Sequence, residues 1–144
     1  LGVNQDLAEA ARWYRKAADA GDARAMNTLG NLYESGQGVK QDYATAARWF
    51  RRSAEGGNTD AWCALGRLYA KGQSVKQDHA EALRWYRKSA EAGNARGMFS
   101  LGVAYGEGKG VDQNSAEAAR WYRKAADAGN DAAKAALNRL SESK

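Results

Sequence analysis

Two kinds of apolar stripe alternate along the chain, both at the three-and-four spacing that lines up side chains on one face of an α-helix. One runs Leu7, Ala10, Ala11, Tyr14, Ala17 and Ala18; the other runs Ala25, Met26, Leu29, Leu32 and Tyr33. The alternation itself then repeats. Trp13, Trp49, Trp85 and Trp121 recur at an unbroken interval of 36, as do Val3, Val39, Val75 and Val111, and Gly21, Gly57, Gly93 and Gly129. The pairs Leu29-Gly30, Leu65-Gly66 and Leu101-Gly102 keep the same beat, with no insertion anywhere. A fixed period of this length marks an array in which each unit is one helix pair.

Start and stop signals divide each period. Helices carrying the tryptophans are predicted over about 7–20, 43–56, 79–92 and 115–128, after Asp6, Asp42, Asp78 and Asn114 as N-caps. Glu9, Glu81 and Glu117 follow three residues later in the manner of a capping box, with Thr45 in the second copy. The glycines at 21, 57, 93 and 129 suit left-handed C-terminal positions. A second set is predicted over about 23–35, 59–71, 95–107 and 131–142, opened by Asp22, Asn58, Asn94 and Asn130 and stopped in its first three copies by Gly36, Gly72 and Gly108. Helices of about 14 residues with one apolar stripe cannot bury it alone, so the pairs must stack. The expected product is one all-α solenoid spanning 1–144. Gly30, Gly66 and Gly102 fall in mid-helix, where each costs roughly 1 kcal/mol of propensity; close helix approach is the expected return.

Composition narrows the function classes. With 44% apolar residues, 27% charged residues and no proline, the chain reads as soluble and helix-rich, and it lacks the ~18-residue apolar run of a membrane span. One cysteine and one histidine supply neither an intrachain disulfide nor a zinc site, so no metal or other cofactor is expected. His79 has no catalytic companion, and the Gly36-Gln37-Gly38 and Gly108-Lys109-Gly110 loops lack the strand and the terminal Lys-Ser/Thr of a phosphate loop. The chain opens Leu1-Gly2-Val3 without an initiator methionine or a leader, as though any targeting segment were removed or never present. The compartment stays open.

The motif Ala25-Met26-Asn27-Thr28-Leu29-Gly30-Asn31-Leu32-Tyr33, then Gly36-Gln37-Gly38-Val39-Lys40-Gln41-Asp42, then Ala46 through Gly57 with Trp49-Phe50, resembles the Sel1-like repeat, a relative of the tetratricopeptide repeat. The likeness covers nearly the whole chain. Phe50 replaces a tyrosine, Ser74 a loop glycine and Gly97 an alanine, while Lys134, Asn138 and Ser141 erode the last copy. The resemblance implies a right-handed α-α superhelix, with the Leu-Gly-Tyr helices concave and the tryptophan helices convex. It also implies the role of a non-enzymatic adaptor for a protein or peptide partner.

Carried over from that resemblance, the groove positions are Arg24, Asn27, Asn31 and Glu34; Asp60, Cys63, Arg67 and Lys71; Arg96, Phe99, Val103 and Glu107; and Arg139 in the last helix. These differ from copy to copy, unlike the frame between them, and recognition is the expected reason. Phe99 and Val103, four apart, should form a small apolar patch, and the mixed charges around them suit a peptide of mixed charge. Cys63 reads as a small filler. The repeated basic positions Arg12, Arg15, Lys16, Arg48, Arg51, Arg52, Arg84, Arg87, Lys88, Arg120, Arg123 and Lys124 are expected on a solvated face, where Asp19, Glu55, Glu91 and Asp127 can each pair with the arginine four residues before it. Nucleic-acid or membrane-surface binding there is the weaker alternative. An inhibitor or immunity-type protein blocking an effector enzyme would use the same groove. The first tryptophan helix has no inner helix before it, so self-association through the N-terminal helix is a further expectation, while the polar last helix reads as a cap.

Overall fold

The computed structural model describes residues 2–143 and contains eight helices. The outer helices are α1 (Val3–Asp19), α3 (Tyr43–Glu55), α5 (His79–Glu91) and α7 (Ser115–Asp127), and the inner ones are α2 (Ala23–Ser35), α4 (Thr59–Lys71), α6 (Ala95–Glu107) and α8 (Asp131–Glu142). Each helix packs on its chain neighbours, and α4 also meets α6 directly. This is an α-helical repeat solenoid, with no strand among the described residues.

The caps explain the regularity. From α2 onward every N-cap side chain accepts an amide of the first turn, as Asn58 does from Ala61 at 2.9 Å and Asp78 from Glu81 at 3.0 Å. The amide and hydroxyl of Thr45 hold the Asp42 carboxyl below its usual range. The capping-box carboxylates do not reach back. Glu81 and Glu117 bind Arg84 and Arg120 instead, and the N-cap amides of Asp42, Asp78 and Asn114 donate to the carbonyls of Tyr33, Tyr69 and Tyr105 in the preceding inner helix. Beside them Gln41, Gln77 and Gln113 donate side-chain amides to the carbonyls of Glu34, Ala70 and Gly106. Each inner helix end is thus tied to the next outer helix start.

That tie accounts for the one misplaced helix start. Helix α1 begins at Val3 rather than at Leu7, with Gly2 as N-cap and no side-chain cap bond. Gln5 and Asp6 are the counterparts of Gln41 and Asp42, but among the described residues no inner-helix end lies against them to receive their bonds, and the segment is helical instead.

Between repeats the mid-helix glycines form notches. A Cβ on Gly30, Gly66 or Gly102 would come within 2.5, 2.6 or 2.7 Å of the ring of Phe50, Tyr86 or Tyr122 on the next outer helix. The lost propensity is exchanged for an aromatic ring seated against bare backbone, and Phe50 has no exposed surface. Ser53 and Ser89, both fully buried, donate to the carbonyls of Ala23 and Thr59 at 2.6 and 2.9 Å, joining α3 to α2 and α5 to α4.

The ends depart from this pattern. Tyr14, the counterpart of Phe50, has no notch to enter and is 40% exposed, and Trp13 is 63% exposed although Trp49 and Trp121 are buried. At the other end the expected polar cap is incomplete, because half-buried Leu137 and Leu140 line an open hollow of about 610 Å³. Asn138 stands there in the glycine's place.

Candidate functional site

Successive inner helices leave three intervals, and each has a different chemistry at the same repeat position. Between α2 and α4, Glu34 faces Arg67 in a two-pronged ion pair, Nη2 to Oε1 at 2.6 Å and Nε to Oε2 at 3.3 Å. Between α4 and α6, the equivalent residues are Ala70 and Val103, and an open cavity of about 310 Å³ lies between them. The third interval has Gly106 and Arg139, and Arg139 makes no ion pair among the described residues.

The positions expected to line the groove separate into three groups. Arg24, Lys71, Arg96, Glu107 and Arg139 are exposed, and Asn31, Glu34, Asp60, Arg67, Phe99 and Val103 are half-buried. Asn27 and Cys63 are buried, at 9% and 6% exposure, so neither offers free surface. Close approach of neighbouring inner helices is the reason. Cys63 Sγ lies 3.7 Å from Ser100 Oγ on α6, and burial pushes its thiol above the ordinary range. The filler reading of Cys63 fits this setting.

Several groove acids are already engaged. Glu34 is held by Arg67, Glu107 pairs with Lys109 at 2.8 Å, and Asp60 accepts from the Asn94 side chain at 2.7 Å. Arg24, Lys71 and Arg96 make no ion pair among the described residues. The balance left free at these positions is therefore basic, where the sequence pattern suggested a mixture.

The patch of Phe99 and Val103 has two duties. The Phe99 ring lies 5.7 Å from that of Tyr122 and packs with the last repeats' core, while both residues also line the 310 Å³ cavity. Leu83 and Tyr86 of α5 complete its apolar wall. Burial, then the nearby Cys63, push the Tyr86 hydroxyl up to about 12, with Arg67 opposing. Leu83 was not foreseen. It replaces the alanine found at Ala11, Ala47 and Ala119, so comparing outer-helix copies as closely as inner ones would have found it.

The convex basic face is organised by aromatic rings rather than by the expected pairs. None of the arginines pairs with the acid four residues on among the described residues. Arg15 and Arg87 instead donate to the hydroxyls of Tyr33 and Tyr105 at 2.6 and 2.8 Å. Arg52 and Lys124 sit over Trp49 and Trp121, and Lys88 lies between Trp62 and Trp85. A guanidinium or ammonium over an indole face gains attraction without leaving water, and the tryptophans are shielded by it.

The model of the Sel1 repeat matches residues 1–22, 23–58, 60–94 and 95–130, nearly the whole chain. The chain belongs to the Sel1 repeat family. Members of the family generally mediate protein–protein interaction and serve as non-enzymatic scaffolds. Among solved structures, the chain is similar to a Sel1 repeat protein from Oxalobacter formigenes, with 38% identity and a TM-score of 0.84 over 94% of this chain and 55% of that one. It is also similar to c5321, described as a protective antigen present in uropathogenic Escherichia coli strains, with 34% identity and a TM-score of 0.78 over 93% of this chain and 29% of that one. Helicobacter pylori cysteine rich protein B follows at 25% identity and a TM-score of 0.71, over 94% of this chain and 98% of that one. The chain therefore spans about half and under a third of the first two relatives. No curated protein matches it. No helix of the Sel1 chain is long and apolar enough to cross a membrane among the described residues.

Proposed function

We propose that this Sel1 repeat chain is a non-catalytic scaffold that binds a protein partner in its concave groove. The observation that carries this is the contrast at one repeat position, which holds an ion pair, an open apolar cavity and an unpaired arginine in successive intervals. Contacts that build the solenoid do not vary this way. Recognition is the pressure that explains side chains free to differ where the scaffold makes no demand on them. The groups that would serve chemistry support the same reading: the Cys63 thiol is buried with a raised pKa, and His79 is the chain's single histidine.

The test is capture of a partner by the full chain and by two charge-reversed variants, one concave (Arg24→Glu with Arg96→Glu) and one convex (Arg48→Glu with Arg84→Glu). Concave reversal should weaken capture at least tenfold while the convex variant stays near wild type, with both unchanged in helical circular dichroism. The opposite ranking would move the interface to the basic ridge and sink the groove reading.

Self-association through α1 is part of the proposal. Exposure of Val3 at 74%, Trp13 at 63% and Tyr14 at 40% leaves apolar area on one helix. Head-to-tail stacking of a second copy in repeat register would press Tyr14 against Asn138 where a glycine notch is needed, so an isologous contact between two α1 faces is favoured. Sedimentation should show a concentration-dependent dimer that Trp13→Glu with Tyr14→Lys abolishes; a strictly monomeric wild type rules it out.

A further inference from the structure

The cavity between α4, α5 and α6 has a property that the other two intervals lack. Three of its apolar wall residues, Leu83, Phe99 and Val103, occur at positions where no other copy has the same residue: Leu83 replaces alanine, Phe99 replaces Asn27, Cys63 and Ala135, and Val103 replaces Asn31, Arg67 and Arg139. The solenoid is built elsewhere without them. Three coincident departures from the repeat, on two helices and converging on one hollow, make a built pocket rather than a gap left by packing.

Its size and rim limit what enters. At about 310 Å³ it lies at the bottom of the range for small-molecule sites, and it suits one large side chain rather than a cofactor. Lys71, Glu107 and Lys109 stand at its edge, and Glu107 is taken by Lys109 at 2.8 Å. Lys71 remains exposed and without an ion pair among the described residues. Tyr86, also at the wall, has a hydroxyl that makes no hydrogen bond among the described residues and is free to donate. The apolar hollow, the unmatched Lys71 cation and the Tyr86 hydroxyl, with His79 and Ser100 also lining the cavity, call for an apolar group beside an anion.

We propose that this cavity is a socket for a single bulky apolar side chain of a partner peptide that carries a carboxylate beside it, the side chain entering between Ala70 and Val103 and the carboxylate meeting Lys71. The proposal rests on the concave-face reading and gives it a location and a chemistry. The chain also contains its own control, because the preceding interval is the same site closed by Glu34 and Arg67. Grafting that ion pair with Ala70→Glu and Val103→Arg should shut the socket using a pairing the backbone already accommodates one repeat away.

The experiment titrates the isotope-labelled full chain with three capped pentapeptides, Gly-Glu-Phe-Glu-Gly, Gly-Lys-Phe-Lys-Gly and Gly-Glu-Ala-Glu-Gly, followed by amide chemical shifts. The acidic phenylalanine peptide should perturb Leu83, Phe99 and Val103 and bind at least tenfold more tightly than either control. The A70E/V103R variant should lose that difference. If the variant melts early, Lys71→Glu alone should still reverse the preference between the acidic and basic phenylalanine peptides. Equal binding by wild type and variant with shifts elsewhere in the groove overturns the socket and spares the groove reading. Shifts confined to Arg48, Arg51 and Arg84 overturn both, and the absence of any shift overturns the socket.

Discussion

The contacts between repeats and the floor of the groove lie a few residues apart on the same inner helices, yet they follow opposite rules. On the inter-repeat side Gly30, Gly66 and Gly102 each receive an aromatic ring, and Gln41, Gln77 and Gln113 each cap an inner helix. On the groove side one position reads Glu34–Arg67, then Ala70–Val103, then Gly106–Arg139. A period in the sequence marks what stacking requires. A break in the period marks what stacking leaves free, and three breaks in one place mark a site.

The strongest way to sharpen that division is to truncate a residue that belongs wholly to the repeating side. Leu65 is 2% exposed, and Leu65→Ala should cost about 2–5 kcal/mol in denaturant unfolding. A cost under about 1 kcal/mol would mean the inner-helix leucines do not hold the stack. Glycine substitutions then divide the two sides by sign. Gly66→Ala places a Cβ 2.6 Å from Tyr86, so overpacking should exceed the helix-propensity gain and leave a net loss of about 1–2 kcal/mol. Gly106→Ala, on the groove side, meets nothing closer than 3.6 Å and should gain up to about 1 kcal/mol. Matching signs for the two would erase the distinction. The smallest effect belongs to the groove ion pair, whose partners are 34% and 20% exposed at the side chain. A double-mutant cycle on Glu34 and Arg67 should return a coupling of about 0.5–1 kcal/mol that falls with salt.

How much was legible in the sequence follows the same line. Periodicity gave the helix pairs, and the Asp/Asn and Gly signals placed the caps, because those features depend on local backbone chemistry repeated in every unit. The start of α1 was misplaced because Gln5 and Asp6 look like Gln41 and Asp42, although the latter pair is held as a loop by donating to the carbonyls of Glu34 and Tyr33 at the end of α2. The expected arginine-to-acid pairs failed for a related reason at Arg15 and Arg87: the hydroxyls of Tyr33 and Tyr105, and the Trp49 ring beside Arg15, compete from other helices. At the groove, residue type suggested variability but not depth. Asn27 and Cys63 read as surface positions, yet the spacing of inner helices buries them. The pairing of Glu34 with Arg67 spans one helix pair, and nothing within a single repeat announces it.

The closed first interval has a consequence for how such an array would gain strength. Because every unit is 36 residues with no insertion, a hollow opened by Glu34→Ala with Arg67→Val would sit at a fixed offset from the one beside Val103. A partner already seated in one would meet the other at an effective concentration on the order of millimolar, and avidity could rise by roughly 10²–10⁴ with no improvement in either contact. Affinity in such an array would rise with the number of intervals that stand open, and in the first one the bridge between Glu34 and Arg67 closes the position, with Ala47 and Cys63 standing where the socket has Leu83 and Phe99.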